Sequence, residues 1–246
     1  TLLLTLLHND MLAILERYIT SQRQQIVAMF ENWWDKYKVT LTEIETERDA
    51  AAQQFERYRS LLATWGKKIN LTALHDPQQV VIRHFLDSLA LVRRLPPATA
   101  LPAATLVDVG SGAGLPGAVC ALLRPDLQVT LVERVNKKAA FLLTLRRELG
   151  LRYEVFAEDA AKLRTRFGIV ISRAALPLPA WLPLASRLGL PGGAVLAMTT
   201  PDEPLPVEPP ALRRQADEIY DVGGGPHRLL VYSVTSEPAA LPAPAV

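Results

Sequence analysis

Val107-Asp108-Val109-Gly110-Ser111-Gly112-Ala113-Gly114-Leu115-Pro116-Gly117 runs from an apolar stretch into three alternating glycines. Val, Leu and Ile before it, from residue 104, predict a buried strand, and the residues after Pro116 predict a helix. Glycine permits a tight turn and lets backbone approach a ligand closely. Pro116 is expected in the first helical turn, where its missing N–H is not needed. A glycine turn at the tip of a strand lies where open α/β sheets bind ligands.

Working outward, short apolar runs at 104–109, 127–132, 152–156, 167–172 and 193–198 alternate with helical stretches. This is the pattern of repeated βαβ units and a doubly wound, mostly parallel sheet. Two later strands, 216–222 and 228–234, flank Gly223-Gly224-Gly225-Pro226 and predict an antiparallel hairpin at one edge. Residues 201–210 are Pro-rich and read as a loop. The Pro/Ala-rich tail 237–246 reads as disordered.

Towards the N-terminus, Leu12, Leu15, Ile19, Ile26, Met29, Phe30, Trp33 and Trp34 predict an amphipathic helix over 10–37. Thr42-Glu43-Ile44-Glu45 fits a capping box and predicts a second helix ending at Gly66. A third is expected over 77–95, before Pro96-Pro97. The division is a helical extension, 1–52, then a domain over 53–236 whose first part, 53–96, is helical.

Composition narrows the classes of function. With 49% hydrophobic and 21% charged residues over 246 positions, the chain can bury a core and is not disordered by composition. Apolar runs are too short for a membrane span. The apolar opening, 1–7, lacks the basic start and cleavage site of a signal peptide. A single cysteine, Cys120, and four scattered histidines offer no metal-ligand spacing, so no metal site and a cytoplasmic location are expected. Net charge is only +2. Its distribution is uneven: Arg134, Lys137, Lys138, Arg146 and Arg147 cluster in the middle, while acids dominate 202–221. That suits a phosphate-binding face or ordinary solvated helices equally.

The next strand, Val129-Thr130-Leu131-Val132-Glu133, ends on an acid. A carboxylate there can accept hydrogen bonds from both hydroxyls of a ribose, so the first two strands together predict an adenosine site. Residues 112–117 also spell the dinucleotide fingerprint G-x-G-x-x-G, which leaves a nicotinamide cofactor and S-adenosylmethionine both open. Asp108, two residues before Gly110, and the long helical lead-in favour S-adenosylmethionine.

Four segments carry a resemblance: Tyr58-Arg59-Ser60-Leu61-Leu62 with Trp65 and Ile69-Asn70-Leu71-Thr72; Arg83-His84-Phe85-Leu86-Asp87-Ser88; the glycine loop with its Leu-Pro-Gly ending; and Ile171-Ser172-Arg173-Ala174. In this order they resemble the RsmG (GidB) family of ribosomal RNA methyltransferases, from about 53 to 235. The resemblance implies a class I methyltransferase fold, S-adenosylmethionine as cofactor, and methylation at N7 of a guanine in 16S ribosomal RNA, free or in a ribosomal particle. It implies that Asp108, Gly110, Gly112, Gly114, Leu115 and Glu133 form the cofactor site, that the Ala160-Ala161 backbone frames the adenine, and that Arg173 is catalytic on the substrate side. Arg173 at the end of a central strand could hold a phosphate or base edge, or a structural salt bridge. Within 83–88, Arg83 and Asp87 are i,i+4 partners that would fix this helix against the glycine loop. His84 or Asp87, together with Lys137 and Lys138, are the further candidates for RNA contact. The chain departs from the family where Thr199-Thr200 replaces a common Lys-Gly pair and where the last strand lacks lysines. Residues 1–50 resemble instead the C-terminal helical tail of type I restriction-modification DNA methyltransferase subunits, so 10–37 is a candidate docking helix for a protein partner. A non-catalytic binding module and a nicotinamide-dependent oxidoreductase are the rival classes.

Overall fold

The computed structural model describes residues 2–71 and 76–235; within the first helix, the side chains of 2–11, 14, 36, 37, 39 and 41 are outside the description. Thr72 and the tail 237–246, both used above, lie outside the described residues. The chain divides into two compact units, Thr1–Phe55 and Glu56–Val246.

The N-terminal expectation of two helices is corrected: residues Leu2–Gly66 form one helix, α1. Nothing between 37 and 42 breaks it, because no Gly or Pro occurs there. The hydroxyl of Thr42 donates to the Lys38 carbonyl at 2.8 Å, one turn back, and so caps nothing. In the first unit Phe30, Trp33 and Trp34 are exposed. Gly66 ends α1 as expected.

The helix expected over 77–95 is helical from Pro77 to Val92 but is not uniform. It comprises α2 (Pro77–Val80), a π-helical turn (Val81–Leu86) and α3 (Asp87–Val92). Asp76 caps its start, with Oδ1 accepting from Gln79 N at 2.8 Å, and Pro77 occupies the first turn. The wide turn carries Arg83 and His84.

Seven strands form one sheet: β1 (Thr105–Val109), β2 (Gln128–Val132), β3 (Tyr153–Phe156), β4 (Phe167–Arg173), β5 (Gly189–Thr199), β6 (Leu212–Asp221) and β7 (Pro226–Val234). Their order is β3-β2-β1-β4-β5-β7-β6. The first five pair in parallel, and β7 runs antiparallel to β5 and to β6. β5 starts four residues earlier than expected, across a pairing irregularity opposite Phe167 and Ile169. Central β4 is buried along nearly its whole length, which accounts for its continuous apolar run.

Between the strands lie α4 (Gly117–Leu123), α5 (Asn136–Leu149) and α6 (Leu178–Leu188). Phe141, Leu142, Leu145 and Leu149 bury one face of α5, and Gly150 closes it at φ +63. Pro116 stands at the cap position one residue before α4, outside the first turn where it was expected. Trp181 and Leu182 of α6 share one buried cluster with Val107, Val170 and Val195. Because the chain visits β2 and β3 on one side of β1 and then crosses to β4 on the other, the carboxyl ends of β1 and β4 open a crevice.

Candidate active site

The loop after β1 is tied to its surroundings. Gly110 N and Ser111 N both donate to the Val132 carbonyl, at 2.9 and 3.0 Å, and Ser111 Oγ donates to the Asp108 carbonyl at 2.9 Å. Asp108 is fully buried, and its Oδ2 accepts from Gly117 N at 3.0 Å. Its Oδ1 has no hydrogen-bond partner among the described residues. Burial pushes this carboxyl up to about 6, against the bond from Gly117. From α1, Tyr58 donates its hydroxyl to the Ala113 carbonyl at 2.6 Å.

Gly110 adopts φ +75, and a Cβ there would lie 2.3 Å from that of Ala175. The loops after β1 and β4 therefore meet where only glycine fits.

A cleft of roughly 430 Å³ opens beside this contact, lined by Gly110, Gly112, Glu133, Lys138, Ala160 and Arg173 among others. A larger depression of roughly 940 Å³ lies at the first residues of β1 to β4, Thr105, Gln128, Tyr153 and Phe167. Amino ends of strands are not where α/β sheets bind ligands, so the smaller cleft is the candidate.

Glu133 is buried at its rim. Oε2 accepts from Gly112 N at 2.9 Å and Oε1 from Val135 N at 2.8 Å. Each carboxylate oxygen accepts two bonds, so each keeps one for a ribose hydroxyl. Ala160 begins a short turn, Ala160–Lys162, braced by Arg187, whose guanidinium donates to the Ala160 and Leu163 carbonyls at 3.0 and 2.9 Å. The cleft volume, the exposed glycine backbone and the remaining capacity of Glu133 fit an adenosine-bearing ligand.

Arg173 at the end of β4 reaches the other side of the cleft. Its Nη1 donates to the Arg83 carbonyl and to Asp87 Oδ2, both at 3.3 Å, and Nη2 lies 3.3 Å from His84 Nδ1. Arg173 therefore lines the cleft and also pairs with a buried acid. Burial, then the Arg173 charge, pushes the His84 imidazole down to about 4, so it is neutral at pH 7.

The expected site residues divide. Gly110, Gly112, Glu133, Ala160, Lys138 and Arg173 converge on the cleft. Asp108, Gly114, Leu115, Ala161 and Lys137 do not line it. Asp108 lies beneath the loop as an anchor, because its Oδ2 holds Gly117 N. Gly114 faces Tyr58 and Leu142, and Leu115 is buried in the core. The Ala161 N–H is held by Asp159 Oδ1 at 2.8 Å. Lys137 is exposed. Neutral His84 contacts Arg173 and is no cation for phosphate.

The pairing expected between Arg83 and Asp87 is corrected, while the segment does reach the glycine loop through Phe85, whose ring lies 5.2 Å from that of Tyr58, the residue bonded to Ala113. Arg83 donates through Nη2 to the Gly224 carbonyl at 2.8 Å, and Asp87 accepts from Tyr220 Oη at 2.6 Å, so this segment is bonded to the β6–β7 hairpin. Sequence reasoning missed Tyr220, His227 and Arg187. No local pattern marks them, since their partners lie far along the chain.

Residues 51–203 match the family model described as GidB: rRNA small subunit methyltransferase G. The chain belongs to the GidB family. Relatives include the ribosomal RNA small subunit methyltransferase G of Burkholderia ambifaria, 41% identical over 158 residues, 61% of this chain and 68% of that protein. That of Halorhodospira halophila is 43% identical over 161 residues, 64% of this chain and 74% of that protein. Among solved structures, magnesium protoporphyrin IX methyltransferase from Synechocystis PCC 6803 with bound SAM superposes with a TM-score of 0.52 at 15% identity, over 65% of this chain and 83% of that one. A mutant MtNAS in complex with S-adenosylmethionine gives 0.52 at 14%, over 74% and 72%. These likenesses carry the fold: a class I methyltransferase sheet. GidB membership selects S-adenosylmethionine over a nicotinamide cofactor for the glycine loop. The match to the GidB model ends before β6 and begins after most of α1.

Proposed function

We propose that this chain transfers a methyl group from S-adenosylmethionine to N7 of a guanine in 16S ribosomal RNA. The observation that carries the reading is the convergence of Gly110, Gly112 and Glu133 on one cleft with Arg173 across it.

When bound, S-adenosylmethionine supplies a methyl group already activated by its sulfonium. Glu133 would accept hydrogen bonds from the ribose hydroxyls, the Gly110 and Gly112 backbone would admit the ligand closely, and Ala160 would frame the adenine. Arg173 keeps two donors, on Nε and Nη2, beyond its three contacts, and these orient the guanine or its phosphate. Guanine N7 carries a lone pair in the ring plane and no proton, so no general base is required. Alignment and a polar pocket supply the acceleration. Lys138, at the cleft and near the start of α5, opposes the helix dipole there, which fits a role toward phosphate better than one in helix stability.

The substrate is taken to be the ribosomal particle or its RNA in the cytoplasm. No helix among the described residues is long and apolar enough to cross a membrane. The exposed face of Phe30, Trp33 and Trp34 supports a protein partner on α1. Labelled-methyl transfer onto small-subunit RNA lacking the modification, followed by mapping, tests the reading. Label at a guanine N7 is expected. Tight S-adenosylmethionine binding without transfer would replace the enzyme by a binding module.

A further inference from the structure

Asp87 is 2% exposed and gathers partners from three elements. Arg173 Nη1 of β4 lies 3.3 Å from Oδ2. Tyr220 Oη of β6 donates to Oδ1 at 2.6 Å, and His227 Nδ1 of β7 lies 3.6 Å from the same oxygen. The Tyr220 and His227 rings stack with centroids 5.7 Å apart. The hairpin is held onto the helical segment by Arg83 to the Gly224 carbonyl at 2.8 Å and by Arg94 to Glu218 at 2.6 Å.

A buried carboxylate is costly unless its oxygens are satisfied. Here one oxygen holds the hairpin and the other holds the cation that lines the cleft. The contacts of Arg173 are long and spread over its two Nη nitrogens, so no bidentate pair fixes its plane. Asp87 is one of its three anchors, beside the Arg83 carbonyl and His84 Nδ1, and Tyr220 and His227 set where Asp87 points.

We propose that Tyr220 and His227 are positioning residues that act through Asp87 to aim Arg173 at the methyl-accepting base. Both lie outside the family-matched residues 51–203. The inference rests on the function proposed above.

The test compares wild type, Tyr220→Phe and His227→Gln by methyl-transfer kinetics on unmodified small-subunit RNA, S-adenosylmethionine calorimetry, melting temperature, and ¹⁵N spectra of the Arg173 guanidinium assigned with Arg173→Lys. Tyr220→Phe keeps the ring stack and removes only the donor. It is expected to lower kcat for RNA about tenfold, with cofactor affinity within twofold and a shifted Arg173 resonance; misplaced groups cost rate in this way. His227→Gln is expected to give about threefold. Unchanged kcat and resonance in the folded variants overturn the proposal. So does a loss of cofactor affinity and melting temperature in step with activity, which marks a merely structural contact. Should Tyr220→Phe not fold, His227→Gln decides. If wild type transfers no methyl to RNA, the function falls, and the Arg173 resonance alone decides the positioning.

Discussion

Glu133 and Gly112 are joined by a 2.9 Å hydrogen bond from the glycine N–H to the carboxylate. The acid expected to hold the ribose thus also holds the loop that admits the cofactor. Glu133→Ala removes both functions, and Glu133→Gln leaves one acceptor oxygen. Calorimetry is expected to show about tenfold weaker S-adenosylmethionine binding for Gln and about a hundredfold for Ala, roughly 1.4 and 2.7 kcal/mol. Equal affinities would remove Glu133 from the site.

Gly110 and Gly112 both have positive φ, yet they are not equivalent. A Cβ at 110 meets Ala175 at 2.3 Å, whereas one at 112 meets nothing closer than 3.8 Å. Gly112→Ala carries the left-handed backbone cost, about 1–2 kcal/mol, and Gly110→Ala adds displacement of the β4 loop. Thermal melts are expected to rank Gly110→Ala lower, with loss of cofactor binding. The reverse order would contradict the close approach of the two loops.

Asp108 carries a pH signature. Its folded value, about 6, lies above its unfolded one. The folded state therefore holds the proton more tightly, and this contribution is full below about pH 4 and lost as pH rises through 6. Asp108→Asn does not titrate. Its stability relative to wild type should improve between pH 4.5 and 8, by about 2 kcal/mol at 1.36 per unit. A difference that stays constant across that range would contradict the burial argument.

His84 acts in the opposite direction. Its folded value of about 4 lies below its unfolded one, so the folded state binds protons less readily. Its contribution is present above about 6.5 and lost as pH falls toward 4. His84→Gln is expected to flatten the acid limb of the melting profile. An acid limb as steep as that of wild type would show that the imidazole is already charged.

Lys138 lines the cleft near the start of α5. Lys138→Glu should weaken RNA binding and make its log–log salt slope shallower by about one unit, because one fewer counterion is released. A filter-binding series over salt measures this; an unchanged slope would place phosphate elsewhere.

The sequence spelled the glycine loop and Glu133 because both are local. Glycines need no partner to betray a turn, and an acid ending an apolar strand is visible in five residues. It failed at Thr42, where a capping pattern is only an option that an uninterrupted helix overrides. It also failed at Asp87, read as the partner of Arg83 four residues away. Tyr220 lies 133 positions from Asp87, and no periodicity relates them.

Periodicity, glycine placement and four short segments by themselves determined a parallel sheet, a glycine loop beside Glu133 and the family, since each depends on neighbouring residues. The folded chain alone decided that Asp108 anchors the loop from below, that Asp87 serves the hairpin, and that His84 is neutral. Burial and long-range hydrogen bonding set those roles, and both exist only once the sheet has brought its distant edges together.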